Sequence, residues 1–124
     1  MSTLGRSLLI LQIVVFAGAA LMHAGILTQG HEHSAARNAE SVIALVLLVG
    51  LVSTILAPES SRGIALGVQG FALLGTIVGL FTIAIGIGPR TTIDLMLHAA
   101  MIVLLVIGLI VVGRRRLVSA SRRR

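Results

Sequence analysis

The sequence contains no cysteine, no lysine, no tryptophan and no tyrosine. Without cysteine, the chain cannot form disulfides, thiolate metal sites or a thiol nucleophile. Charged residues make up only 11% of the chain, whereas a soluble domain carries about a quarter. Missing tryptophan and tyrosine also remove the aromatic belt that usually marks the two membrane interfaces. This absence favours burial of the chain within a homo-oligomer or a larger membrane complex.

What the sequence does contain is apolar, since 56% of its residues are hydrophobic. Four long apolar runs are separated by short polar segments, two of which contain the prolines Pro58 and Pro89. Each run is close to the ~20 residues that a helix needs to cross a bilayer. We therefore predict a single domain over 1–124, an all-α membrane protein built as an antiparallel bundle of four transmembrane helices. The predicted spans are about 8–27, 40–57, 64–87 and 93–112.

The arginines predict how the bundle is oriented. Eight of them fall on the side of the two termini, and two on the other side, at Arg37 and Arg90. Positive residues accumulate on the cytoplasmic side of membrane proteins, so both termini are predicted to be cytoplasmic (N-in/C-in), in a multi-pass protein of a bacterial-type inner (plasma) membrane. The basic tail, 113–124, is predicted to lie on anionic lipid headgroups. No other feature favours nucleic acid as its partner.

His23 and His98 are the two histidines that fall inside predicted spans. Each lies a few residues from the extracytoplasmic end of its helix, the first or the fourth, and these helices are neighbours in an up-down bundle. Ionisable residues within membrane spans are costly and are usually functional. We therefore expect the two imidazoles to approach one another at that end.

A divalent transition metal is the first ligand that this pattern predicts. Imidazole and carboxylate ligands suit Zn, Cu(II), Ni or Fe(II). The predicted ligands are His23, His98 and Glu40, with His31 and His33 of the first loop available to complete the set. Asp94 and Glu32 are predicted to orient the ligands, and Asp94 shares a helix face with His98 four residues later. The chain lacks an H-E-x-x-H motif, which favours a binding protein over an enzyme, with no catalytic residues assigned.

Three alternatives remain open at this stage. Haem b could be held between His23 and His98 in an electron-transfer subunit, with Arg37 and Arg90 near its propionates. The chain could instead be a non-catalytic accessory subunit of a larger membrane complex. The histidines could also bond to neighbouring carboxylates or carbonyls and simply hold the bundle together.

Small and amide residues predict how the helices pack. The pairs Gly63/Gly67 and Gly75/Gly79 are small-xxx-small motifs, which let helix backbones approach closely in lipid. Gln12 and Gln69 fall at similar depth in the first and third spans, nearer the cytoplasmic side. We predict that they form an inner polar pair across the bundle.

Overall fold

The computed structural model describes residues 1–114, which form four α-helices. The helices are α1 (Thr3–His23), α2 (Ser34–Leu56), α3 (Ser61–Ala84) and α4 (Thr92–Gly113). Residues 115–124, which hold most of the predicted basic tail, lie outside the described part of the chain.

The helices pack as a closed antiparallel bundle. Consecutive helices are in contact, and α1 also contacts α4, so each helix has two neighbours. All four are long and apolar enough to cross a membrane, because about 20 helical residues span the hydrocarbon core. The predicted all-α bundle of four helices, each long and apolar enough to cross a membrane, is thus confirmed. We call the end where α1 and α3 finish the histidine end, and the end that holds the chain's first residues the opposite end.

Polar side chains lie inside the bundle, and large apolar side chains cover its outer surface. The buried polar residues are Gln12, His23, Glu40, Thr54, Ser61, Gln69, Thr76, Asp94 and His98. Exposed apolar residues occur on every helix, for example Val14, Val49, Leu74 and Val103. Such an outer surface suits lipid rather than water. The core is closed by apolar residues such as Leu9, Phe16, Leu47, Met101 and Leu105.

The helix ends differ from the ends of the apolar runs. Helix α1 finishes at His23, four residues before the predicted limit, because Gly25 adopts φ +72° and turns the chain. Helix α2 begins at Ser34, well before Glu40, since the His33 side chain accepts a hydrogen bond from the Ala36 N–H and caps it. Apolar runs mark what lipid covers, whereas caps mark where a helix begins and ends.

Two arginines cap the carboxyl ends of helices. Arg90 donates from Nε to the Ile83 carbonyl at 3.2 Å, at the end of α3. At the opposite end of the bundle, Arg62 donates to the carbonyls of Val112 and Gly113, at 3.1 and 2.6 Å. The last carbonyls of a helix have no partner within the helix and carry its partial negative charge. Both arginines therefore stabilise helix ends within this chain.

Candidate functional site

His23 joins three helices at the histidine end. It is the last residue of α1 and is buried, with 1% of its surface exposed. Its Nδ1 lies 2.7 Å from Glu40 Oε2 on α2, and its Nε2 lies 3.1 Å from Asp94 Oδ1 on α4. Both ring nitrogens are thus engaged by carboxylates.

Asp94 is held in place by the cap of α4. Thr91 donates to Asp94 Oδ2 from its backbone N–H at 3.0 Å and from its hydroxyl at 2.6 Å. The Asp94 N–H in turn donates to Thr91 Oγ1, which completes a capping box. The box leaves Oδ1 for His23, so this carboxylate has both oxygens occupied. It also holds the side chain at the start of α4.

His98 contacts Asp94 through the backbone instead of through the carboxylate. Its Nδ1 donates to the Asp94 carbonyl oxygen at 2.8 Å. The predicted i,i+4 proximity is present, but the expected bond to the carboxylate is not, because the capping box and His23 occupy that group. Since Nδ1 is the donor, Nε2 of the neutral ring carries a lone pair. No described residue is hydrogen-bonded to Nε2.

The His23 network places two carboxyl groups on one imidazole. Two hydrogen bonds between an imidazole and two carboxylates require two protons. With those two protons alone the three groups sum to one negative charge, and a third proton on Glu40 Oε1, which has no partner in the described chain, would make them neutral. The two ion pairs found in the described residues are those of His23 with Glu40 and Asp94, so within residues 1–114 no arginine neutralises the network. A buried charge without a partner is costly.

A cavity of about 190 Å³ lies beside this network, between α2, α3 and α4, and Phe16 of α1 contributes to its wall. Glu40 and His98 form part of its wall. Glu40 Oε1 is buried and has no hydrogen-bond partner in the described chain. The wall therefore includes two residues with an unpartnered acceptor atom, Glu40 Oε1 and His98 Nε2.

The cavity exists because the helices that face one another carry small side chains. Ala36 and Ala39 on α2 and Gly75 and Gly79 on α3 all line it. Further into the bundle the gap is closed by Ile43, whose Cδ1 lies 2.9 Å from where a Cβ on Gly75 would be. A Cβ on Gly79 would lie 2.9 Å from His98 Nε2. Gly79 therefore leaves room for the His98 ring.

The side chains of Glu32 and His33 bond to backbone groups of the first loop and of the start of α2. Glu32 Oε2 accepts from the Gly30 N–H at 2.9 Å. Bonds from its own backbone N–H and from that of Gly30 hold the pKa of Glu32 below its usual value. His33 uses Nδ1 to cap α2, although its side chain also borders the cavity. His31 makes no hydrogen bond through Nδ1, which is buried, to any residue in the described range.

The predicted ligand set is thus divided. Glu40, His98 and His33 line one cavity, whereas His23 has both nitrogens occupied and His31 lies in the loop. Within residues 1–114, no three His, Asp or Glu side chains are arranged to hold a metal ion. The predicted metal site has no closed ligand shell in this arrangement.

The two arginines predicted near haem propionates bond elsewhere. Arg37 donates to the Asn38 side chain on the surface, and Arg90 caps α3. Of the two predicted axial ligands, His98 alone has a free ring nitrogen. Haem ligation by His23 would require its two carboxylate bonds to be rearranged.

A second polar layer lies toward the opposite end. Gln12 Nε2 donates to Gln69 Oε1 at 2.9 Å and to the Leu104 carbonyl at 3.2 Å, which links α1, α3 and α4. Gln69 Nε2 donates to the Ala65 carbonyl at 2.9 Å. Gly108 makes this layer possible, because a Cβ there would overlap Gln69 Oε1. Gly108 was not among the predicted packing residues, because its only signal in the sequence is its position in the fourth apolar run.

The predicted glycine pairs behave differently from one another. Gly75 and Gly79 face other helices, as described above. At Gly63 and Gly67, a Cβ atom would have no other heavy atom within 4 Å. They therefore do not bring helices together within this chain.

The comparisons with known proteins return nothing: no family model, curated protein or solved structure matches this chain.

Proposed function

We propose that this membrane protein binds a cation in the cavity beside the His23 network. The observation that carries the proposal is the convergence of two carboxyl groups on the single buried imidazole of His23, together with the unpartnered Glu40 Oε1. A cation near Glu40 would compensate the second carboxylate, which has no arginine partner within residues 1–114.

The acceptor atoms also favour a cation. Glu40 Oε1 and His98 Nε2 each offer a lone pair, and the threonines on the wall use their hydroxyl protons internally: Thr76 donates to the Ala72 carbonyl and Thr82 to the Gly79 carbonyl. A ligand that donates hydrogen bonds or accepts lone pairs fits these two acceptor atoms.

A divalent transition metal remains one such cation. Imidazole nitrogen and carboxylate oxygen are suitable ligand atoms, so we propose His98 and Glu40 as the ligands of such a metal ion. His33 borders the same cavity, but its Nδ1 accepts the Ala36 N–H in the cap of α2, so Nε2 carries the ring proton and His33 would become a ligand only by giving up that cap. Water would have to supply the remaining ligands.

Cation binding is tested on the purified protein in detergent micelles. Zinc, nickel and benzylammonium chlorides are each titrated by calorimetry at pH 7, with sodium chloride added to keep the ionic strength constant. We expect saturable binding of at least one of them, and its loss in Glu40→Gln. Glu59→Gln is the matched control, because Glu59 is exposed in the turn at the opposite end.

A second variant tests the same site in case Glu40→Gln fails to fold. Gly79→Ala places a methyl group against His98 Nε2 and leaves every titratable group in place. We expect weaker binding, whereas Gly67→Ala, whose Cβ meets nothing, keeps the wild-type affinity. Absence of saturable binding for all three cations, or equal affinity in Glu40→Gln, would overturn the proposal.

We also propose that the histidine end faces away from the cytoplasm. The arginine distribution supports this orientation, since Arg6 and Arg62 lie at the opposite end and the arginine-rich tail follows α4. The same distribution supports an inner-membrane protein whose tail binds anionic headgroups. Reporter fusions after residue 124 and within the loop 24–33 test the orientation. Cytoplasmic signal from the loop fusion would contradict it.

A further inference from the structure

We infer that the cavity's cation is a small organic ammonium ion with an apolar body, which enters the cavity with its charged end toward Glu40. This inference rests on the proposed function and specifies its ligand class. It is carried by the contrast between the cavity's apolar walls and the two acceptor residues on one side of them.

Most of the wall offers nothing to a hydrated metal ion. Its apolar members come from every element around the cavity, and they include Phe16, Ile43, Val78, Ile83, Ile87 and Met101. A hydrated ion would place its water ligands against these side chains without hydrogen bonds, which costs free energy. An apolar ligand body removes that cost, and its burial contributes favourably.

The size of the cavity limits the apolar body. A dry apolar cavity of about 150 Å³ accepts a benzene ring. A cavity of about 190 Å³ therefore has room for one such ring and a short arm that carries an ammonium group. Benzylammonium has this shape, so it is the probe that the geometry selects.

The charged end matches the two acceptors. An ammonium group has three N–H donors, and Glu40 Oε1 and His98 Nε2 are two side-chain acceptor atoms of lining residues that lack a hydrogen-bond partner in residues 1–114. The acid and the imidazole thus specify charge and donors, while the apolar wall specifies the body.

The test compares four ligands on the full-length protein by calorimetry. Methylammonium has the charge without the ring, benzyl alcohol has the ring without the charge, and zinc has the charge without any body. We expect benzylammonium to bind at least tenfold more tightly than methylammonium, because it buries an apolar ring. We also expect at least tenfold tighter binding than benzyl alcohol, a preference that Glu40→Gln removes.

A cavity-filling variant tests the location. Ala36→Leu adds apolar volume to the wall without changing Glu40 or His98. We expect it to weaken benzylammonium binding at least tenfold and to leave methylammonium binding within twofold. Ala100→Leu is the control, because Ala100 lies on the exposed face of α4.

The outcomes separate the inference from the proposed function. Binding of zinc or methylammonium with equal affinity to benzylammonium would overturn the organic ligand and leave cation binding intact. Unchanged benzylammonium affinity in Ala36→Leu would likewise overturn it. Absence of binding for every cation would overturn both.

Discussion

Gly108→Ala should destabilise the bundle, because Gly108 makes room for the buried pair of amides. The added methyl group would overlap Gln69 Oε1 and crowd Gln12 Nε2. The two amides must then separate, and Gln12 loses its bonds to Gln69 and to the Leu104 carbonyl. Neither amide can turn to water, because both are fully buried.

The magnitude follows from two contributions. Interhelical hydrogen bonds in membranes contribute about 0.6 kcal/mol each, so two lost bonds cost about 1 kcal/mol. Overpacking a filled interior costs about 1–3 kcal/mol. We therefore expect the free energy of unfolding to fall by about 2–4 kcal/mol.

Unfolding in mixed micelles with increasing sodium dodecyl sulfate, followed by circular dichroism, measures this change. Gly67→Ala is the matched control, since its Cβ meets nothing within 4 Å and alanine favours the helix. A double change, Gly108→Ala with Gln69→Ala, should recover part of the loss by removing the overlapped oxygen. Equal stability of Gly108→Ala and Gly67→Ala would refute the amide layer.

Three further changes test the histidine end. Thr91→Ala removes the cap of α4 and one partner of Asp94, so we expect the free energy of unfolding in the same assay to fall by about 1 kcal/mol. Thr91→Ser should retain most of the stability. A Thr91→Ala variant as stable as the wild type would contradict the capping box. His23→Ala leaves its two carboxylate partners buried together, so its free energy of unfolding should fall by about 3–5 kcal/mol. His31→Ala in the loop is the control and should change the free energy of unfolding by less than about 0.5 kcal/mol. Similar losses of stability in both variants would argue against the His23 network. Glu32 has a lowered pKa when folded, so its stabilising contribution is fully present above its unfolded pKa and is lost as the pH falls through the lowered value. The difference in stability between wild type and Glu32→Gln should therefore shrink with acidification, and a difference that grows would reverse the sign.

The bundle itself was predictable because its signals are local or compositional. Long apolar runs interrupted by Pro58 and Pro89 are enough to predict four spans, since the bilayer fixes the length of each. The Gln12 and Gln69 positions suggested an inner pair, because two buried amides at the same depth need partners. Helix ends were predicted less well, because Gly25 and the His33 cap act on backbone hydrogen bonds rather than on hydropathy.

The roles of the histidines were harder to predict. His23 and His98 were expected to act together, yet within residues 1–114 their hydrogen bonds meet at Asp94, His23 at its carboxylate and His98 at its carbonyl oxygen. Which oxygen of Asp94 each ring meets depends on the capping box and on the rotation of α4 against α1. The spacing of residues in the sequence gives neither the capping box nor the rotation of α4.

By itself, the sequence determined that the chain is a membrane bundle and that its ionisable residues lie near helix ends, since hydropathy and the length of a span depend on composition alone. The tertiary structure decided which of those residues are already paired and which face an open space. Pairing depends on differences of about an ångström in the positions of side chains on different helices, and the cavity depends on small residues of two helices, such as Ala36 and Gly79, that line the same space. These pairs and this cavity form only when the helices pack, because each of them needs side chains from more than one helix.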